Sequence, residues 1–148
     1  MTIAIDTRTT FQLSRRASTG ATLRRAALFA ATMAAVVAAT ALSDPAPLLR
    51  ADAELAMLLR GMAALKALLA IAAFAAVFWR FGAPIGISLG VVYAASTAMM
   101  AAGAALIWGL SHIGFTAIAF HAALIALAFA ALRDGRIAAL TTKKRRAG

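Results

Sequence analysis

Four side chains that can form polar contacts fall at one depth of an otherwise apolar chain: Lys66, Ser96, Thr97 and His121. Each lies near the middle of a long hydrophobic run. Because a helix rises about 1.5 Å per residue, the four should share the level of the bilayer centre. A lysine at that level costs at least about 2.5 kcal/mol to insert and usually faces a bundle interior or a wet cavity. These residues are therefore the predicted binding layer.

Two environments are compatible with Lys66 at this depth. Inside the bundle, the hydroxyl groups of Ser96 and Thr97 and the imidazole of His121 would solvate its amine. On the lipid side, its alkyl chain would extend toward the membrane surface. Arg60 lies on the same run, about a turn and a half from its outer end, where a contact with lipid headgroups or a neighbouring helix is expected. Arg60 therefore joins the candidate binding residues.

The histidines and methionines limit the metal chemistry that the chain could support. His112 and His121 point to opposite faces of one predicted helix, so both cannot ligate one haem, and a haem-binding bundle using His121 would need a second copy of the chain. A soft copper site is the other alternative, since thioether and imidazole groups suit Cu(I). We expect no cofactor and no metal, because no ordered metal motif accompanies these residues. The methionines considered are Met57, Met62, Met99 and Met100.

Motifs for catalysis are absent from the sequence. The chain contains no cysteine, no phosphate-binding P-loop, no HExxH and no GxSxG. The apolar runs contain no carboxylate that could neutralise Lys66 or relay protons. We therefore expect a protein that is not an enzyme.

Four hydrophobic runs must position the candidate residues. The chain has 148 residues, of which 64% are hydrophobic, whereas an ordinary soluble domain is closer to half apolar. The excess lies in uncharged stretches near the roughly 20 residues that span a bilayer. Pro45 and Pro47 end the first run, and Gly82 and Pro84 form the turn after the second. The predicted fold is all-α, a polytopic bundle of four transmembrane helices at about 26–43, 53–79, 85–108 and 112–132.

The distribution of lysine and arginine predicts the orientation of the bundle. Cations crowd segments 1–25 and 134–148, whereas the loop between the first two runs is rich in acids. Cytoplasmic segments are enriched in Lys and Arg, so both segments are predicted to be cytoplasmic tails of a transmembrane domain at 26–133. The net charge of +10 then favours contact with anionic lipid over nucleic acid. Composition and orientation together favour a bacterial inner membrane.

The first run admits a second interpretation. Arg24 and Arg25, the apolar stretch after them and the letters "AATALS" resemble a secretory signal with a small-residue cleavage site. The basic segment before the run is unusually long for such a signal. We therefore expect the run to be retained as a membrane helix.

Small residues recur every four positions along the third run, at Gly86, Gly90, Ala94, Ala98 and Ala102. Such ridges let helix backbones approach closely, which drives helix association in lipid. The ridge is predicted to pack inside the chain's own bundle, with a homo-oligomer interface as the alternative.

Small size, packing faces and scarce chemistry predict an accessory, assembly or scaffold subunit of a larger membrane complex. The predicted partners are lipid and other membrane subunits or further copies of the chain. The alternatives are a small oligomeric transporter or channel using Lys66 and Arg60, and a metal- or haem-binding bundle.

Overall fold

A computed structural model describes residues 7–44 and 52–135, with side chains from Thr19 onward. All regular structure in these two ranges is helical. The helices are α1 (Thr7–Ala41), α2 (Ala53–Arg80), α3 (Ile87–Trp108) and α4 (Ile113–Arg133). Each is long and apolar enough to cross a membrane, so the predicted all-α fold with four spanning helices is confirmed and the chain is a multi-pass membrane protein.

The helix boundaries agree with the sequence except at the start of α1. This helix begins at Thr7, within the segment expected to be a tail, and its apolar part starts at Thr19. No proline and a single glycine, Gly20, occur between residues 7 and 44, so nothing local interrupts the helix. The remainder of both predicted tails, and the loop with Pro45 and Pro47, lie outside the described residues.

Short turns join α2 to α3 and α3 to α4. After α2, the amide of Phe81 still donates to Val77, and Gly82 and Ala83 continue the turn before Pro84. Between α3 and α4, Leu110 and His112 both have left-handed backbone, with φ of 56° and 50°. Two left-handed residues reverse the chain within a few positions, so α3 and α4 pack as an antiparallel pair.

Helix α3 is the centre of the bundle and packs against each of the other three helices. One core cluster combines Leu28, Val77, Phe81, Tyr93 and Ala130, and a second combines Ala70, Ala73, Met100, Phe120 and Ala123. Most other large apolar side chains are exposed, which is expected for a surface that faces lipid. The end of the bundle that contains Arg80 is called the Arg80 end below, and the opposite end the Ser111 end.

At the Ser111 end, the α3–α4 turn is fastened to the segment after α1. Ser111 is completely buried, and its hydroxyl donates to the carbonyl of Asp44 at 3.2 Å. A Cβ at Gly109 would lie 3.2 Å from the hydroxyl of Ser43, so glycine permits this close approach. The contact holds α1 against α3 at that end.

Candidate functional site

The predicted mid-depth layer divides into interior and surface residues. Ser96 and Thr97 are buried in α3, and the hydroxyl of Thr97 donates to the carbonyl of Tyr93 at 2.8 Å. Lys66 is half-buried, with its ammonium 4.5 Å from the ring centroid of Phe120. A cation over an aromatic face is attracted by the ring quadrupole, so Lys66 connects α2 to α4.

His121 and Arg60 are on the surface of the bundle. The imidazole of His121 is exposed, its Nδ1 lies 2.6 Å from the carbonyl of Ala117, and its ring meets Phe120 edge-on. Arg60 is also exposed, on α2. Within residues 52–135, Lys66 makes no hydrogen bond to Ser96, Thr97 or His121, so hydrogen bonds do not join the four predicted residues.

The residues considered for metal binding are also dispersed. Met100 is completely buried in the second core cluster, whereas Met57, Met62 and Met99 are exposed. His112 is exposed in the α3–α4 turn. In the described part of the chain, no group of three or more His, Cys, Asp or Glu residues is arranged to hold a metal ion.

The small-residue ridge of α3 lies only partly inside the bundle. Gly86 is exposed and a Cβ there would meet nothing, while Gly90, Ala94, Ala98 and Ala102 are half-buried. The buried face of α3 consists of Tyr93, Ser96, Thr97, Met100, Gly103, Ala104 and Ile107. This face approaches α4 closely at Gly103, where a Cβ would lie 3.5 Å from the ring of Phe120.

An ion pair that the sequence reasoning did not identify joins α2 to the end of α4. Arg80 donates through Nε to Asp134 Oδ2 at 2.5 Å and through Nη2 to Oδ1 at 3.0 Å. Tyr93 of α3 donates its hydroxyl to the same Oδ2 at 3.3 Å. Arg80 also donates to the carbonyl of Pro84 in the α2–α3 turn. Side chains of α2 and α3 therefore meet at the carboxylate that follows α4, and Arg80 links this cluster to the α2–α3 turn.

The sequence did contain a signal for this pair. Arg80 closes the second apolar run and Asp134 follows the fourth, and both helices run in the same direction. Their ends therefore reach the same membrane surface, where a cation and an acid can pair. Both residues are less than a tenth exposed, and burial strengthens their mutual attraction while making either one costly to leave alone.

Two arginines of α1 complete the Arg80 end. Arg24 donates to the carbonyls of Phe81 and Ala83, at 3.3 and 3.2 Å. Arg25 donates to the carbonyl of Phe78 at 3.1 Å, and the guanidinium of Arg25 lies 4.9 Å from the centroid of the Phe78 ring. These bonds satisfy carbonyl groups at the C-terminal end of α2, which its own helix leaves free.

The buried polar groups at the Arg80 end hold helices together, whereas the hydroxyl groups of Thr97 and Thr116 bond to carbonyls of their own helices. In residues 19–44 and 52–135, every buried side-chain nitrogen or oxygen has a hydrogen-bond partner. The carboxylate of Asp134 accepts hydrogen bonds from Arg80 and Tyr93. The arrangement at the Arg80 end fastens the four helices to one another.

A lateral groove of about 510 Å³ opens between α1 and α2. The two helices touch near the Arg80 end, where the rings of Phe29 and Phe74 meet edge-on at 6.4 Å. Toward the Ser111 end, residues of α3 form the floor of the groove. Most of the lining that α2 and α3 contribute consists of alanines: Ala63, Ala67, Ala70, Ala101, Ala104 and Ala105.

No protein family, curated protein or solved structure matches this chain.

Proposed function

We propose that this chain is a non-enzymatic accessory, assembly or scaffold subunit of a larger complex in a bacterial inner membrane. In this role, the groove between α1 and α2 receives one face of a partner's transmembrane helix. The observation that carries the proposal is the alanine lining of that groove on α2 and α3.

Helix association in lipid depends on close packing, because lipid tails are as apolar as the side chains that they touch. Small residues on the α2 wall and on the α3 floor would let a partner backbone approach closely. The groove extends along α1 from Phe29 to Thr40, which is about 16 Å or three helical turns. A helix is about 10–12 Å in diameter, so a groove of this volume can hold one side of a helix but not its full cross-section.

The internal use of the polar side chains supports the same role. Arg80 and Tyr93 both donate to Asp134, and Thr97 and Thr116 bond to carbonyls of their own helices. A bundle whose buried polar groups already have partners offers its lateral surface for recognition. The predicted cytoplasmic location of both termini belongs to this proposal, since Arg24, Arg25 and Arg80 then lie at the cytoplasmic surface.

Groove-filling variants test the proposal. Ala67 lines the groove, whereas Ala72 is exposed on the opposite face of α2. We expect Ala67→Trp to abolish co-purification of a defined partner from native membranes in mild detergent, because the indole occupies the partner's place. The matched control, Ala72→Trp, should retain the partner.

Two results would contradict the proposed role. One is recovery of the wild-type protein only as a lone monomer under mild detergent. The other is equal partner recovery with the tryptophan at Ala67 and at Ala72. A second copy of the chain in the recovered complex would show that the partner is the same protein and that the complex is a homo-oligomer.

A further inference from the structure

We propose that a second groove, between α3 and α4 at the Arg80 end, binds one anionic phospholipid. This site lies between a different pair of helices from the proposed partner groove and does not depend on it. The groove has a volume of about 610 Å³. Its lining includes Ser88, Leu89, Val92, Ala126, Phe129 and Arg133.

The polar and apolar parts of the lining are separated along the membrane normal. Ser88 belongs to the first turn of α3 and Arg133 to the last turn of α4, so both lie at the mouth of the groove. Val92 and Ala126 lie about one and two helical turns deeper. A phosphate at the mouth and an acyl chain along the apolar wall match this order.

Arg133 supplies a cation that is available to a ligand. Its side chain is exposed, and within residues 52–135 no hydrogen bond or ion pair occupies its guanidinium. The neighbouring acid, Asp134, is buried and paired with Arg80, so it does not neutralise Arg133. Guanidinium groups bind phosphate through charge-assisted and often bidentate hydrogen bonds.

The first turn of α3 strengthens the attraction for a phosphate. Gly86 precedes this helix and no side chain caps its amide groups. Free amides and the helix dipole favour an anion there, and Ser88 adds a hydroxyl donor. The chain beyond the described residues adds Arg136 and the run Lys143–Arg146 with no acid, which raises the positive charge in the same part of the sequence.

A phospholipid fits these features better than a free anion, because most of the lining is apolar and faces the bilayer. Basic pockets between membrane helices are established binding places for anionic headgroups, and each nearby cation contributes about 1 kcal/mol. Removal of the Arg133 charge should therefore weaken binding about fivefold.

Native mass spectrometry of the full-length protein in mild detergent tests the site. The probes are phosphatidylglycerol and phosphatidylcholine with identical acyl chains. We expect one phosphatidylglycerol to be retained in preference to phosphatidylcholine. Arg133→Gln should lose that preference and Arg133→Lys should keep most of it. The control Arg50→Gln, which removes a cation from the segment between α1 and α2, should behave as the wild type.

Val92→Trp tests whether the apolar groove, and not surface charge alone, retains the lipid. The indole should fill the apolar wall and reduce phosphatidylglycerol retention although Arg133 is unchanged. Equal retention of the two lipids by the wild type would overturn the proposal. Undiminished phosphatidylglycerol binding by Arg133→Gln, or by Val92→Trp with a wild-type circular dichroism spectrum, would do so as well.

Discussion

Arg80 and Asp134 are 54 positions apart in the sequence and meet where α2 and α4 end. A buried ion pair gains Coulomb attraction but loses the hydration of both charges, so its net contribution to stability is small. Substitution of only one partner costs much more stability, because the remaining charge is then buried without a partner. The pair therefore specifies which helix ends meet more than it adds to the free energy of folding.

Substitution of one partner should be far more costly than apolar replacement of the whole cluster. We expect Arg80→Met and Asp134→Leu each to reduce the free energy of unfolding by about 3–5 kcal/mol. The triple variant Arg80→Met, Asp134→Leu, Tyr93→Phe should recover most of that loss, since no charge or hydroxyl is left unpaired. Unfolding in micelles titrated with a denaturing detergent gives the values, and a triple variant as unstable as the single ones would refute this account.

His112 combines an exposed side chain with a left-handed backbone, φ 50°. A non-glycine residue in this region carries a steric cost of roughly 1–2 kcal/mol. His112→Gly should raise the free energy of unfolding by about 0.5–1 kcal/mol, because little packing is lost. His112→Ala retains the Cβ and should give no gain. Thermal melting in detergent compares the two, and equal melting temperatures would argue against backbone strain.

The individual residues were only partly predictable from the sequence. Depth alone placed Lys66, Ser96, Thr97 and His121 at one level, but which way each side chain points depends on how the helices rotate when they pack. The contact of Lys66 with Phe120 and the outward position of His121 follow from that rotation. Their roles in binding stay predictions.

At the level of the helices, α3 and α4 pack closely at Gly103. A Cβ at this position would lie 3.5–3.6 Å from Phe120 and Thr116, which is ordinary van der Waals contact. Gly103→Ala should therefore be tolerated and even stabilising, because alanine is the better helix former by up to about 1 kcal/mol.

A larger side chain at Gly103 should force the two helices apart. We expect Gly103→Leu to lower the free energy of unfolding by about 1–3 kcal/mol through overpacking against Phe120. Detergent-titration unfolding of the alanine and leucine variants provides the comparison. Equal stability of the two would mean that α3 and α4 are not in close contact at Gly103.

The spans were predictable because hydrophobic length and proline position are local properties. The start of α1 at Thr7 was not, because a polar, basic segment lacks the apolar signal that marks a span. The ridge from Gly86 to Ala102 shows another limit. Spacing by four drifts around a helix of 3.6 residues per turn, so a ridge that is regular in sequence leaves the buried face.

At the scale of the whole molecule, Arg24 bonds to the α2–α3 turn and Asp134 pairs with Arg80. The start of the apolar part of α1 and the end of α4 therefore lie at one end of the bundle. The sequence predicts that this end is cytoplasmic. The wild-type chain has no cysteine, so single introduced cysteines report orientation without background.

We expect Glu54→Cys to react with a membrane-impermeant maleimide in intact bacterial cells, because this end of α2 should lie outside. Ala147→Cys should react only after the membrane is permeabilised. The reverse labelling pattern would show that the topology is opposite to the predicted one. Labelling of both positions in intact cells would show that the two sites do not lie on opposite sides of the membrane.

Site-specific photo-crosslinking in native membranes tests the proposed partner groove most directly. A small aliphatic diazirine side chain at Ala67, which unlike an indole leaves room for the partner, should give one discrete protein adduct, and Ala101→Trp on the groove floor should abolish it. The same group at Ala72 should give no such adduct. Identical adducts from Ala67 and Ala72, or an Ala67 adduct that persists with Ala101→Trp, would contradict the proposal that a partner helix lies between α1 and α2.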